Sequence, residues 1–192
     1  MNEGQPFSFF TTRRSIRSFK QKIIPDNILH NCVNSARLAP TGMNLQPLEY
    51  IIITEEKIRN IMFSFVHWAG YISDWNPQED EQPMAYIVLI YKKNESSYYS
   101  YDVGIALAHI ILYAEANDLG SCILKNIETA KIQELLKIPH TYSVDSVVAL
   151  GYKNEQPVIE INDQEKKYWL DETQVLHVPK RSLESIIHHQ SF

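Results

Sequence analysis

The chain has 192 residues, 44% of them hydrophobic and 21% charged, enough for one domain with a real core. A net charge of −5 excludes a general nucleic-acid or polyanion binder and makes any basic cluster a local patch. No run approaches the roughly 18 apolar residues of a membrane helix, and the start from Met1 to Pro6 lacks a signal-peptide pattern.

Phe7, Phe9 and Phe10 predict a short helix that anchors the N-terminus by burial. Arg13-Arg14-Ser15-Ile16-Arg17 follows, three guanidinium groups and a hydroxyl within five residues. Ile24-Pro25-Asp26 reads as a helix entry, and Ile28, Leu29, Cys32, Val33 and Ala36 then recur at helical spacing until Pro40 and Gly42 stop the helix. Tyr50-Ile51-Ile52-Ile53 is an apolar strand, Glu55 to Val66 a helix, and Gly70 to Pro83 a long loop or short excursion. Ala85 to Tyr91 is a second strand. Tyr101 to Ala116 is a helix apolar nearly all round, expected in a core or an interface, and Asp118-Leu119-Gly120 stops it.

Ser121 to Leu124 is a short extended segment, Ile132, Leu135 and Leu136 mark a helix before Pro139, and Val144 to Tyr152 is a third strand. Glu155 to Pro179 is polar and poorly periodic, and Arg181 to His188 is expected as a last short helix. Helices and strands without strict alternation favour an α+β layered architecture. Cys32 and Cys122 form no CxxC pair and are expected as buried thiols of a cytoplasmic protein without disulfides.

Two stretches carry candidate chemistry. In an extended segment Arg13, Ser15 and Arg17 share one face and suit a phosphate monoester, which takes bidentate guanidinium contacts and hydroxyl donors. Taken alone, the cluster reads rather as a solvated basic turn. The turn Pro40-Thr41-Gly42-Met43-Asn44-Leu45-Gln46-Pro47 offers a hydroxyl and two amides suited to a heterocycle edge, or it is a plain connector. The sequence holds no GxGxxG, GxxxxGK[ST], HExxH or GxSxG motif, and its seven histidines have no metal-ligand spacing. His109 reads as a satisfied core or interface residue and His188-His189 as solvent-exposed.

Read in order, these segments resemble the nitroreductase family of FMN-dependent oxidoreductases. The resemblance rests on Arg13-Arg14-Ser15-Ile16-Arg17-Ser18-Phe19, Ala39 to Tyr50, Asp102-Val103-Gly104-Ile105-Ala106, Leu119-Gly120-Ser121-Cys122, Leu150-Gly151-Tyr152 and Val178-Pro179-Lys180-Arg181, and it spans nearly the whole chain. It implies a single domain over residues 1–192, with a central, mostly antiparallel sheet flanked by helices in an intertwined homodimer. Residues 155–192 would embrace the partner.

The resemblance also implies site residues. Arg13, Arg14, Ser15 and Arg17 would lie along the FMN, with Arg13 and Ser15 toward the phosphate and Arg17 toward the ribityl chain and N1/O2 edge, and Lys180 and Arg181 would return to the phosphate. Pro40, Thr41, Gly42, Asn44 and Gln46 would reach the flavin of the other subunit, and Leu124 and Lys125 would lie near N5. Trp68, Tyr71 and Trp75 could line a substrate pocket or serve as core or interface aromatics. The implied activity is NADH- or NADPH-dependent reduction of small electron-poor molecules (nitroaromatics, quinones or enones) by a ping-pong cycle at flavin N5, with no side-chain acid or base and no metal. Alternatives are an FMN-binding sensor or carrier without redox turnover, and a specialised reaction such as reductive dehalogenation or flavin fragmentation. Asp118 stands where many members have glycine, and aspartate tolerates the left-handed turn needed there.

Overall fold

The computed structural model describes residues 5–72 and 76–192, with side chains from Phe9 onward. Helix α1 covers Gln5–Thr12, strand β1 Phe19–Lys20, helix α2 Asp26–Arg37 and strand β2 Leu48–Ile53. Helix α3 (Glu56–Phe63), strand β3 (Ala85–Lys92), helix α4 (Tyr99–Glu115), strand β4 (Leu119–Leu124), helix α5 (Thr129–Leu135) and strand β5 (Tyr142–Lys153) follow. The five strands form one antiparallel sheet. β5 is its spine, pairing with β3 and β1 along one edge and with β4 along the other, while β2 lies outside β3.

The strands bury both faces, so β3 is a continuous apolar run rather than an alternation of apolar and polar residues. On one face Tyr86, Val88 and Ile90 join Ile16, Phe19, Met62, Cys122, Ile132 and Val147. On the other, Ile87 and Leu89 pack with Leu29 and Cys32 of α2 and with Ala106 and Ile110 of α4. This is the α+β architecture expected, helices on either side of an antiparallel sheet. Both cysteines are free and buried. His109 Nδ1–H donates to the Ser35 carbonyl at 2.9 Å, tying α4 to α2. Asp118 takes φ 60°, the left-handed turn its side chain tolerates.

Several expectations are corrected. Phe9 and Phe10 are exposed rather than buried within the chain, at 42% and 57%. The third helix ends at Phe63 rather than Val66, because Val66 bridges to Ile127 and His67 N–H donates to the Asn126 carbonyl at 3.0 Å. On α4, the Val103, Ala106, Leu107 and Ile110 side meets the sheet and α2, the core part of that helix's expected burial, while Tyr101 and Ile105 are exposed in the single chain, at 73% and 37%. Arg181 to His188 is a turn, where Ser182 donates to Asp163 and the Ser185 hydroxyl to the Ser182 carbonyl, local bonds that compete with a helix.

The polar tail also holds more order than its pattern suggests: strands β6 (Val158–Ile161), β7 (Trp169–Leu170) and β8 (Leu176–Lys180) form a small mixed sheet. His177 fastens it. Its Nδ1 meets Glu160 Oε1 at 2.7 Å, its Nε2 meets Asp171 Oδ2 at 3.2 Å, and its ring stacks on Trp169 at 5.1 Å. These hydrogen bonds, to Glu160 first, raise the His177 pKa above its usual 6.5. The Val175 N–H and then the Thr173 hydroxyl hold Asp171 down to about 2.

A raised folded pKa gives stabilisation that is complete below 6.5 and lost as pH rises through the shifted value. The Asp171 share is present above 3.8 and lost as pH falls toward 2. Amide-exchange protection of β8 is therefore expected to be highest between about pH 4 and 6.5 and to fall above it, with a flat profile over neutral pH in His177→Ala. A β8 that is equally protected at pH 6 and pH 9 in the unsubstituted chain contradicts this.

Candidate functional site

The segment after α1 runs extended beside β4. Ser15 bridges to Ser121 in parallel register, and Ile16 N–H donates to the Ser121 carbonyl at 2.9 Å. Alternation follows from the extended backbone: Arg14, Ile16 and Ser18 are buried, while Arg13, Ser15 and Arg17 are half-exposed on the other side. The close approach needs Gly120, since a Cβ there would lie 2.8 Å from three Ile16 side-chain atoms. Gly151 does the same for Phe19, whose ring comes within 2.7 Å of an added Cβ.

Arg14 therefore points away from Arg13, Ser15 and Arg17. It is 5% exposed and donates to the carbonyls of Phe10, Thr11 and Arg13, closing the end of α1. Burial, then the charge of Arg13, lowers its pKa, and Glu115 opposes that shift.

Arg17 is held by Glu155 and Tyr168. Its backbone N–H and that of Ser18 donate to Glu155 Oε1, the latter at 3.2 Å. Its guanidinium carbon lies over the Tyr168 ring, 5.0 Å from the ring centre. Burial raises the Cys122 thiol pKa against the pull of Arg17, and burial likewise raises Glu155 against the bonds it accepts from Arg17 and Ser18. The parallel register carries Arg17 toward the end of β4 where Leu124 is buried and Lys125 leaves the sheet. Lys125 Nζ is turned to Asp145 at 2.9 Å, which leaves its backbone as the group for any ligand contact.

The turn from Pro40 to Gln46 is held by different elements. Asp102 of α4 accepts the Gly42 N–H on Oδ1 at 2.8 Å, and Gly42 leaves no room for a Cβ, which would meet Tyr98 Cβ at 2.8 Å. Met43, Asn44 and Gln46 take φ values of 52°, 56° and 50°, left-handed conformations costing roughly 1 kcal/mol or more at a residue such as Met43. That strain and Asp102's grip present Asn44 and Gln46 outward, both exposed. Glycine's left-handed freedom is not what the turn uses, since no glycine among the described residues has positive φ.

Lys180 and Arg181 lie exposed at the end of β8, with Arg181 turned to the Ser185 carbonyl at 2.5 Å. Trp68 is a core residue, 7% exposed and 6.0 Å from the Phe63 ring, whereas Tyr71 is 60% exposed. Trp75 lies outside the described residues. A surface cavity of about 810 Å³ beside Arg59 contains none of these residues, and Glu56, Glu79 and Asp80 in its wall disfavour a phosphate.

Sequence reasoning missed Glu155 and Tyr168, and it quoted Asp102 only within a motif. Glu155 is 138 residues from Arg17, so no local spacing signals their contact.

Guanidinium groups and a hydroxyl aligned along a strand edge form a donor set for a phosphorylated ligand. The same arrangement sits within a family match: the chain matches the nitroreductase family over residues 10–152. The chain belongs to that family. An iodotyrosine deiodinase of Thermotoga neapolitana is 23% identical over 161 residues, covering 74% of this chain and 86% of that protein. An NADH dehydrogenase of Thermus thermophilus is 23% identical, covering 75% and 84%. Among solved structures, an FMN-dependent nitroreductase from Clostridium difficile R20291 is 26% identical with a TM-score of 0.69, covering 96% of this chain and 98% of that one. Family membership supports flavin-dependent oxidoreduction as the class of chemistry. Among the described residues no helix is long and apolar enough to cross a membrane, and no group of three or more His, Cys, Asp or Glu could hold a metal.

Proposed function

We propose that this nitroreductase-family chain binds FMN and uses NADH or NADPH to reduce a small electron-poor acceptor of nitroaromatic, quinone or enone type. Donor and acceptor occupy one site in turn. The observation that carries the reading is the outward row of Arg13, Ser15 and Arg17 pinned to the β4 edge. Its donor set fits the cofactor: Arg13 and Ser15 suit the phosphate, and Arg17 supplies a fixed cation for the N1/O2 edge, where negative charge gathers on reduction. A bound flavin would supply the hydride chemistry, at N5.

In this reading the Leu124–Lys125 backbone faces N5, and Lys180 and Arg181 close on the phosphate. Pro40, Thr41, Gly42, Asn44 and Gln46 reach the flavin of a second copy, so the active form is a homodimer. Residues 155–192 then contact the partner as well as their own chain. Arg14, which lies along the same segment, also keeps the end of α1 in place.

The kinship with an iodotyrosine deiodinase favours a second reading, reductive dehalogenation at the same site.

Anaerobic titration of yellow, FMN-loaded protein tests this. Rapid bleaching by NADH or NADPH, and recovery of colour on adding a nitroaromatic or quinone, is the expected result. Recovery with an iodinated tyrosine and release of iodide would favour the second reading. A yellow protein that neither donor bleaches would be a flavin carrier or sensor. A colourless protein that gains no thermal stability from FMN overturns all of these.

A further inference from the structure

We propose that Tyr168, in the tail, is a positioning residue that holds the Arg17 guanidinium ready for the flavin. The inference rests on the FMN reading above and adds to it a residue outside the family's quoted motifs.

The guanidinium lies 5.0 Å from the Tyr168 ring centre, within the range of a cation–π contact. A cation–π contact engages the guanidinium's charge and occupies none of its five N–H donors with a lone-pair acceptor. Tyr168 therefore restrains Arg17 without consuming what a ligand needs. Glu155 fixes the backbone beneath the side chain. The guanidinium N–H donors are left for a flavin edge.

Tyr168 is itself fixed. Its hydroxyl oxygen accepts the Tyr71 N–H at 3.4 Å, and the Tyr71 ring meets it edge-on, with centroids 5.0 Å apart and planes at 61°. The chain from Tyr71 through Tyr168 to Arg17 thus links the loop after α3 to the cofactor segment. An arginine immobilised before the ligand arrives loses less side-chain freedom on binding. It also presents its charge at one place when negative charge develops.

The experiment compares Tyr168→Leu and Tyr168→Phe with the unsubstituted chain. It measures FMN affinity by flavin fluorescence quenching, the midpoint potential of FMN-loaded protein, and the Arg17 side-chain proton shifts by NMR in the apo form. Tyr168→Leu is expected to bind FMN roughly two- to thirtyfold more weakly, the span a guanidinium–ring contact supplies. Its potential falls and the ring-current shift of Arg17 disappears. Tyr168→Phe keeps the ring face and retains all three properties.

A purely structural role for Tyr168 would lower the apo melting temperature in Tyr168→Leu while leaving the potential unchanged, and that result overturns the proposal. So does a Phe variant as impaired as the Leu variant, because the hydroxyl tether and not the ring face would then matter. An unsubstituted chain that binds no FMN overturns the flavin reading together with this proposal. One that binds FMN while Tyr168→Leu matches it overturns the proposal alone.

Discussion

Arg17→Ala is expected to weaken FMN binding by roughly ten- to a hundredfold and to lower the flavin midpoint potential. The magnitude follows from losing a charge-assisted hydrogen bond, about 1.5–3 kcal/mol. The direction of the potential follows from electrostatics, because a cation at N1/O2 stabilises the reduced, more negative flavin more than the oxidised one. Arg17→Lys keeps the charge but loses the guanidinium that lies over Tyr168, so its affinity and potential should fall between the two. Reductive titration against a reference dye, with the variants saturated in FMN, measures the potential separately from occupancy. An unchanged potential in FMN-replete Arg17→Ala would show that this side chain does not face the flavin edge.

The second large effect is on the fold. Leu89 is fully buried on β3, the strand between β2 and β5, and packs with Leu29, Cys32 and Ile110 on the α2–α4 side. Leu89→Ala leaves a cavity between elements fixed by strand pairing on both sides, and it should cost about 2–5 kcal/mol. For a chain of this size that is a fall in melting temperature of roughly 5–20 °C. Ile23→Ala is the control: Ile23 is 80% exposed in the chain, and its loss should change stability by about 0.5 kcal/mol or less. Comparable losses in the two variants would contradict the assignment of the core.

The sheet and its helices were legible because their signals are local. The apolar run from Ala85 to Ile90 and the 3.6-residue pattern of α2 each specify an element within a few residues. Helix ends were less legible. The third helix stops early because Val66 finds a strand-like partner at Ile127, a tertiary contact that overrides helical propensity. The tail failed for the reverse reason. Its strands are short, and they are held by His177 between two carboxylates and by Leu176 in the core, none of which appears as a period.

For the site, the alternation of Arg13, Ser15 and Arg17 could be read before any fold was known, because an extended backbone dictates it. The bonds of Arg14 to the Phe10 and Thr11 carbonyls could not, since they depend on where α1 ends.

By itself, then, the sequence determined the antiparallel α+β framework, the family, and which side chains could meet a phosphorylated ligand. Those depend on residue type, order and short-range periodicity. Only the tertiary structure decided that Gly120 lets Ile16 close against β4, that Asp102 grips the Gly42 turn, and that Glu155 and Tyr168 hold Arg17. Each of these contacts joins residues far apart in the chain, and its energy exists only once the sheet has brought them together.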